Sequence, residues 1–145
     1  MVINRISEAL FPADGDGETQ PPTLSPEDGA AGLLIEAAQR EGGLTEIERD
    51  LVDAALMKLF RLTNPQAKER RLMAEAAQAR STTAMTFAAA AAQLPPEKRE
   101  QLVTQLWAVA DSDGSTSGME RELMGTVETV FGLSFERVSA LRAPA

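Results

Sequence analysis

A chain of 145 residues suits one compact domain with a real core. It has no His, Cys or Tyr, which excludes a Cys nucleophile, a Ser-His relay, a thiolate or imidazole zinc site and a disulfide framework. The net charge of −8 rests largely on residues 12–28, where Asp14, Asp16, Glu18, Glu27 and Asp28 meet no Lys or Arg; the nearly balanced remainder has no basic stripe for phosphates, so nucleic acid is not an expected partner.

In chain order, Val2, Ile3, Ile6 and Leu10 fall roughly on one helical stripe. This short amphipathic segment docks on the domain or touches a partner or a membrane surface. It has no long apolar core or small-residue cleavage site, so it does not read as a signal peptide. No run approaches 18 apolar residues, so no membrane span is expected and the chain reads as soluble and cytoplasmic. The Gly-, Pro- and acid-rich "PADGDGETQPPTL" reads as a flexible linker. Its "DGDGE" fails as a calcium loop, because placing Asp14 and Asp16 at positions 3 and 5 puts Pro12 at position 1 and Thr23 at position 12. Residues 1–24 are therefore read as a tail, and 25–145 as the domain.

Ser25 reads as an N-cap before Pro26, opening a helix to about Glu41 that stops at Gly42-Gly43. Thr45 and Glu48 have capping-box spacing and start the next helix. On it Ile47, Leu51, Ala55 and Leu59 share a face, with Val52, Leu56 and Phe60 beside them. A helix restarts behind Asn64-Pro65. Another covers "TTAMTFAAAAAQL", where five consecutive alanines permit close approach of a neighbouring helix. Pro95-Pro96 ends it and opens a helix with two apolar rows, Leu102, Leu106, Val109 and Val103, Trp107, Ala110. Ser117 and Glu120 repeat the capping-box spacing, and Ser134 caps a short closing helix. No segment alternates with period two. The expected fold is all-α, a bundle of about seven helices.

Residues 34–51 and 106–123 match at an offset of 72: Leu34 with Leu106, Ala38 with Ala110, Gly42 with Gly114, Glu48 with Glu120 and Arg49 with Arg121. After one deletion, "FRLT" at 60–63 matches "FGLS" at 131–134. The bundle is therefore expected to consist of two similar helix–loop–helix halves related by an approximate two-fold.

The bend "ADSDGSTSGMERE" gathers acids between two helices. Counted as an EF-hand from Asp111, it places Asp111, Asp113, Ser115, Ser117 and Glu122 at ligand positions, but Thr116 occupies the obligatory Gly position. An ordinary EF-hand is not expected. Two readings stay open. Capping explains Glu48 and Glu120, each three residues after a Thr or Ser. It does not explain Glu41, Asp111 and Asp113, which lie where a helix C-terminus repels acids. A cation, or a basic group on a partner, would turn that crowding into a site, and with only oxygen donors present it would be a hard cation.

The pattern resembles the TerB-like family, known from tellurite-resistance protein B and from a related domain in a membrane-anchored DnaJ-type co-chaperone. An apolar helix ends in Ala-x-x-Asp-Gly, and after a short loop a Glu opens the next helix, twice over. The second copy, "VADSDGSTSGMERE", has Asp113-Gly114 and Glu120. The first, "EAAQREGGLTEIERD", has Glu41 for the expected Asp, one methylene longer, and Glu48. "VFGLSFERVSALR" resembles the family's closing helix. The resemblance covers about residues 30–142 and implies an all-helical fold whose acidic residues coordinate a divalent cation, calcium, magnesium or manganese. The implied ligands are Asp113 and Glu120 in one half-site, Glu41 and Glu48 in the other, and Asp111 in support. The expected function is a small cytoplasmic module of a stress or tellurite-resistance system, acting through contacts with an unidentified protein. The rival is a metal-free interaction scaffold or peripheral membrane adaptor using residues 2–10. No nucleophile–base pair or phosphate-cradling loop is visible, so enzymatic activity is not expected.

Overall fold

The computed structural model describes residues 24–39, 43–112 and 119–142. Among these are seven helices and no strand: α1 Pro26–Ala38, α2 Glu46–Phe60, α3 Asn64–Ala79, α4 Ala84–Ala91, α5 Pro96–Asp111, α6 Arg121–Phe131 and α7 Phe135–Ala140. The amphipathic segment 2–10 and the acidic linker lie outside the described residues, as do Glu41, Asp113 and Ser117.

Local chemistry starts most of these helices. Ser25, Thr45 and Thr63 each accept a hydrogen bond from the backbone N–H three residues on, and the side chain of Asp28, Glu48 or Gln66 returns the bond. Each reciprocal pair satisfies two N–H groups that the helix cannot. Thr83 and Ser134 cap α4 and α7 in the simpler one-way form. Arg61 and Gly132, paired in the sequence match, both end their helices in the left-handed conformation, at φ 54 and φ 69. Glycine adopts it without a Cβ penalty, whereas Arg61 does not.

The bundle is organised around α1, which packs against α2, α3, α4 and α5. Gly29 through Ile35 are all buried, followed by Ala37 and Ala38, so α1 is a core helix with little solvent face. Its tightest neighbour is α4. A Cβ on Gly29 would lie 2.6 Å from the Ala91 nitrogen and 2.8 Å from the Ala90 Cβ. One on Gly32 would fall inside the Phe87 ring. Two glycines on α1 and the buried Ala88 and Ala91 on α4 thus give the close approach the alanine run suggested.

Both apolar rows of α5 are buried as expected, and α6 packs on α4 through its own stripe of Leu123, Val127 and Phe131. Three expectations are corrected. Helix α1 ends at Ala38, before Glu41: Gln39 is extended, and Gln78 of α3 holds this end by donating to Glu36 at 2.8 Å and Gln39 at 2.7 Å. Ile47 is 73 % exposed, because α2 packs on its neighbours only from Val52 onward. Glu120 is the N-cap residue of α6, in extended conformation, with no side-chain capping bond; it is not the third residue of a helix capped by Ser117. Among the described residues no helix is long and apolar enough to cross a membrane.

Candidate functional site

The acid-rich bend lies between the last residue of α5 and the first of α6. Asp111 ends α5, where its charge meets the negative pole of the helix. The cation beside it comes from the chain itself. Arg142, just past α7, donates to both Asp111 carboxylate oxygens, at 2.8 and 2.6 Å. Its guanidinium lies 4.6 Å from the centroid of the Trp107 ring, a cation–π geometry. Trp107 in turn donates through Nε1 to the Val138 carbonyl at 2.8 Å. The closing helix is thereby clamped to α5, and the Asp111 hydrogen bond holds the Arg142 guanidinium above its usual range, against a smaller effect of burial.

Glu48 is engaged in its own cap, accepting from the Thr45 N–H at 2.8 Å while its N–H donates to Thr45 Oγ1 at 3.1 Å. Capping therefore accounts for Glu48, as the first of the two readings held. It does not account for Glu120. Freed from any capping bond and exposed, Glu120 lines an open groove of about 500 Å³ with Glu36 of α1 and Glu122 of α6. Thr83 and Thr126 contribute hydroxyls, and Leu123 and Met85 the apolar part. Glu36 is tethered by Gln78. Of the five sequence-derived ligands, Glu120 enters this groove, Asp111 pairs with Arg142, Glu48 caps α2, and Asp113 and Glu41 lie outside the described residues. Among the described residues no group of three or more carboxylates is close enough to hold a metal ion. The available donors are carboxylate and hydroxyl oxygens, which match a hard divalent cation and no softer one.

Sequence reasoning missed the buried charges. Asp53 is 1 % and Arg71 5 % exposed. Arg71 donates to Asp53 at 2.7 and 3.4 Å and to Glu75 one turn on, tying α2 to α3. Lys68 lies 3.6 Å from Asp53, and Arg49 lies 3.6 Å from Glu75. The available signal was Asp53 itself, an acid between Val52 and Leu56 in the apolar stripe of α2. Such a position demands a partner, because an unpaired buried charge costs several kcal/mol, about 3–5 when one partner is removed. Two basic residues act as C-caps: Lys98 donates to the Leu59 carbonyl at 2.8 Å, and Arg99 donates to Ala92 and Leu94 at 3.0 and 2.8 Å. Where α1 begins, burial alone would raise the Asp28 pKa. Hydrogen bonds from Arg70 and from the Ser25 side chain and backbone outweigh it, and the carboxyl is held below its usual range.

Compared with known protein families, the chain matches the model of TerB, tellurite resistance protein TerB, over residues 27–143. Comparison with curated proteins and with solved structures finds no match.

Proposed function

The chain belongs to the TerB family of tellurite-resistance proteins, and from that premise we propose that it is a non-enzymatic cytoplasmic module whose contacts with a protein partner are tuned by a divalent cation. The observation that supports this most directly is the uncommitted Glu120 carboxylate at the head of α6, two residues after the stretch 113–118 in sequence and facing the groove with Glu36 and Glu122. Glu120 and Asp113 are assigned to the principal half-site, and Glu41 and Glu48 to the weaker one, where Glu48 would divide its oxygens between the Thr45 N–H and the ion. Asp111 would join only by releasing Arg142. When bound, calcium, magnesium or manganese would neutralise the acids of the bend and draw the ends of α5 and α6 into one arrangement, which a partner can read. With no Cys in the chain, a direct thiol reduction of tellurite is not part of its action.

Calorimetric titration of each ion into the parent and into Asp113→Ala/Glu120→Ala tests the reading. The expected result is binding with Kd on the order of 1 mM or tighter in the parent and none in the double variant. The absence of heat for all three ions would end the cation role. That outcome would favour the metal-free scaffold, which is supported by the chain's own cation at Asp111 and by the capping role of Glu48.

A further inference from the structure

The outer face of the second half of α3 is apolar where a solvent face should be polar. Leu72 and Met73 are 58 % and 53 % exposed, and Ala76 and Ala79 continue the exposed surface at helical spacing. Beside it runs a groove of about 320 Å³, lined by Leu62, Gln66, Glu69, Arg70 and Met73. Arg70 is also the residue that meets the start of the described chain. It donates to Asp28 at 2.9 Å, and its guanidinium lies 3.5 Å from Ser25 Oγ. The described chain therefore begins at the rim of this groove.

We propose that the amphipathic segment 2–10 docks in this groove of its own chain, laying Ile3, Ile6 and Leu10 against Met73, Leu72 and Leu62. Length permits it. Residues 11–23 form a thirteen-residue connection that spans up to about 45 Å extended and roughly 20 Å as a flexible chain. The face from Arg70 to Ala79 is about 14 Å long at helical rise. A tether of this length holds the segment at an effective concentration of order mM, which makes a modest apolar contact sufficient. Charge agrees as well: the groove presents the exposed Glu69, and the segment carries Arg5. This inference is independent of the cation.

The experiment compares methionine oxidation by dilute hydrogen peroxide in the full chain, read by peptide mass spectrometry. Met73 and Met85 are nearly equally exposed on the described domain, 53 % and 52 %, so Met85 is an internal standard. With the segment docked, Met73 oxidises several-fold more slowly than Met85, at the same ratio across a dilution series. In full-length Ile3→Asp/Ile6→Asp the two rates become equal. A nitroxide on Asn4→Cys, unambiguous in a chain without Cys, should broaden the amide signals of residues 66–73. Equal rates in the parent would overturn the proposal, and so would slow Met73 oxidation that persists in the double variant. Protection that fades on dilution would assign the face to a second copy. Equal rates in solution, with the segment found on anionic vesicles, would assign the segment to lipid. Either result sinks intramolecular docking.

Discussion

Replacing Gly32 by Ala should destabilise the protein, although Ala is the better helix former. In an exposed helix the exchange gains about 1 kcal/mol. At position 32 the new Cβ meets Cδ1, Cγ and Cε1 of Phe87, all well under 3.0 Å. Phe87 is fully buried on α4 and its ring is the body of the side chain, so no flexible end can swing aside. Overpacking of this kind costs roughly 1–3 kcal/mol and sometimes more, and a methyl inside an aromatic ring belongs at the upper end. The expected net loss is about 1–2 kcal/mol, or roughly 2–8 °C in Tm for a chain of this size. Gly125 supplies the control. It lies within α6, and a Cβ there meets nothing within 4 Å. Gly125→Ala should therefore stabilise by about 0.5–1 kcal/mol. Urea denaturation of both variants, followed by helical circular dichroism and Trp107 fluorescence, reads the difference directly. If Gly32→Ala raises the midpoint as Gly125→Ala does, α1 and α4 are not in the contact described, and the packing argument is wrong.

Removing Arg71 should be among the most damaging single changes, since Arg71→Ala leaves the buried Asp53 carboxylate with only the more distant Lys68, at 3.6 Å. The expected loss is about 2–3 kcal/mol, at or below the low end for a broken buried pair because Lys68 remains, and Asp53→Leu/Arg71→Met should recover much of it in the same urea assay. Acidification should weaken the start of α1. The folded pKa of Asp28 is depressed, so its contribution is present above the unfolded value of about 3.9 and is lost as pH falls through the folded value. Arg70→Met should accordingly cost stability at pH 6 and progressively less as the pH falls below about 3.9. A penalty that does not depend on pH would show that Arg70 acts through packing alone.

The elements were legible because their causes are local. Ser25, Thr45 and Ser134 precede apolar periodicity at fixed spacings, and the caps form from residues three apart whatever the rest of the chain does. The buried rows of α5 follow from a 3.6-residue period in the same way. Glu120 shows where this reasoning stops. Its spacing from Ser117 equals that of a capping box, yet α6 begins after it, and the carboxylate faces a groove made by three helices.

The chain by itself thus determined an all-helical bundle, most of its helix starts and, through the short motifs around Asp113 and Glu120, its family. Tertiary structure alone decided which charges are spoken for. Asp111 meets Arg142 across 31 residues, Asp53 meets Arg71 across 18, and Gly32 makes room for a Phe from another helix. These partners are set by how helices cross, and crossing depends on the summed packing of the whole core, which no local window of sequence contains.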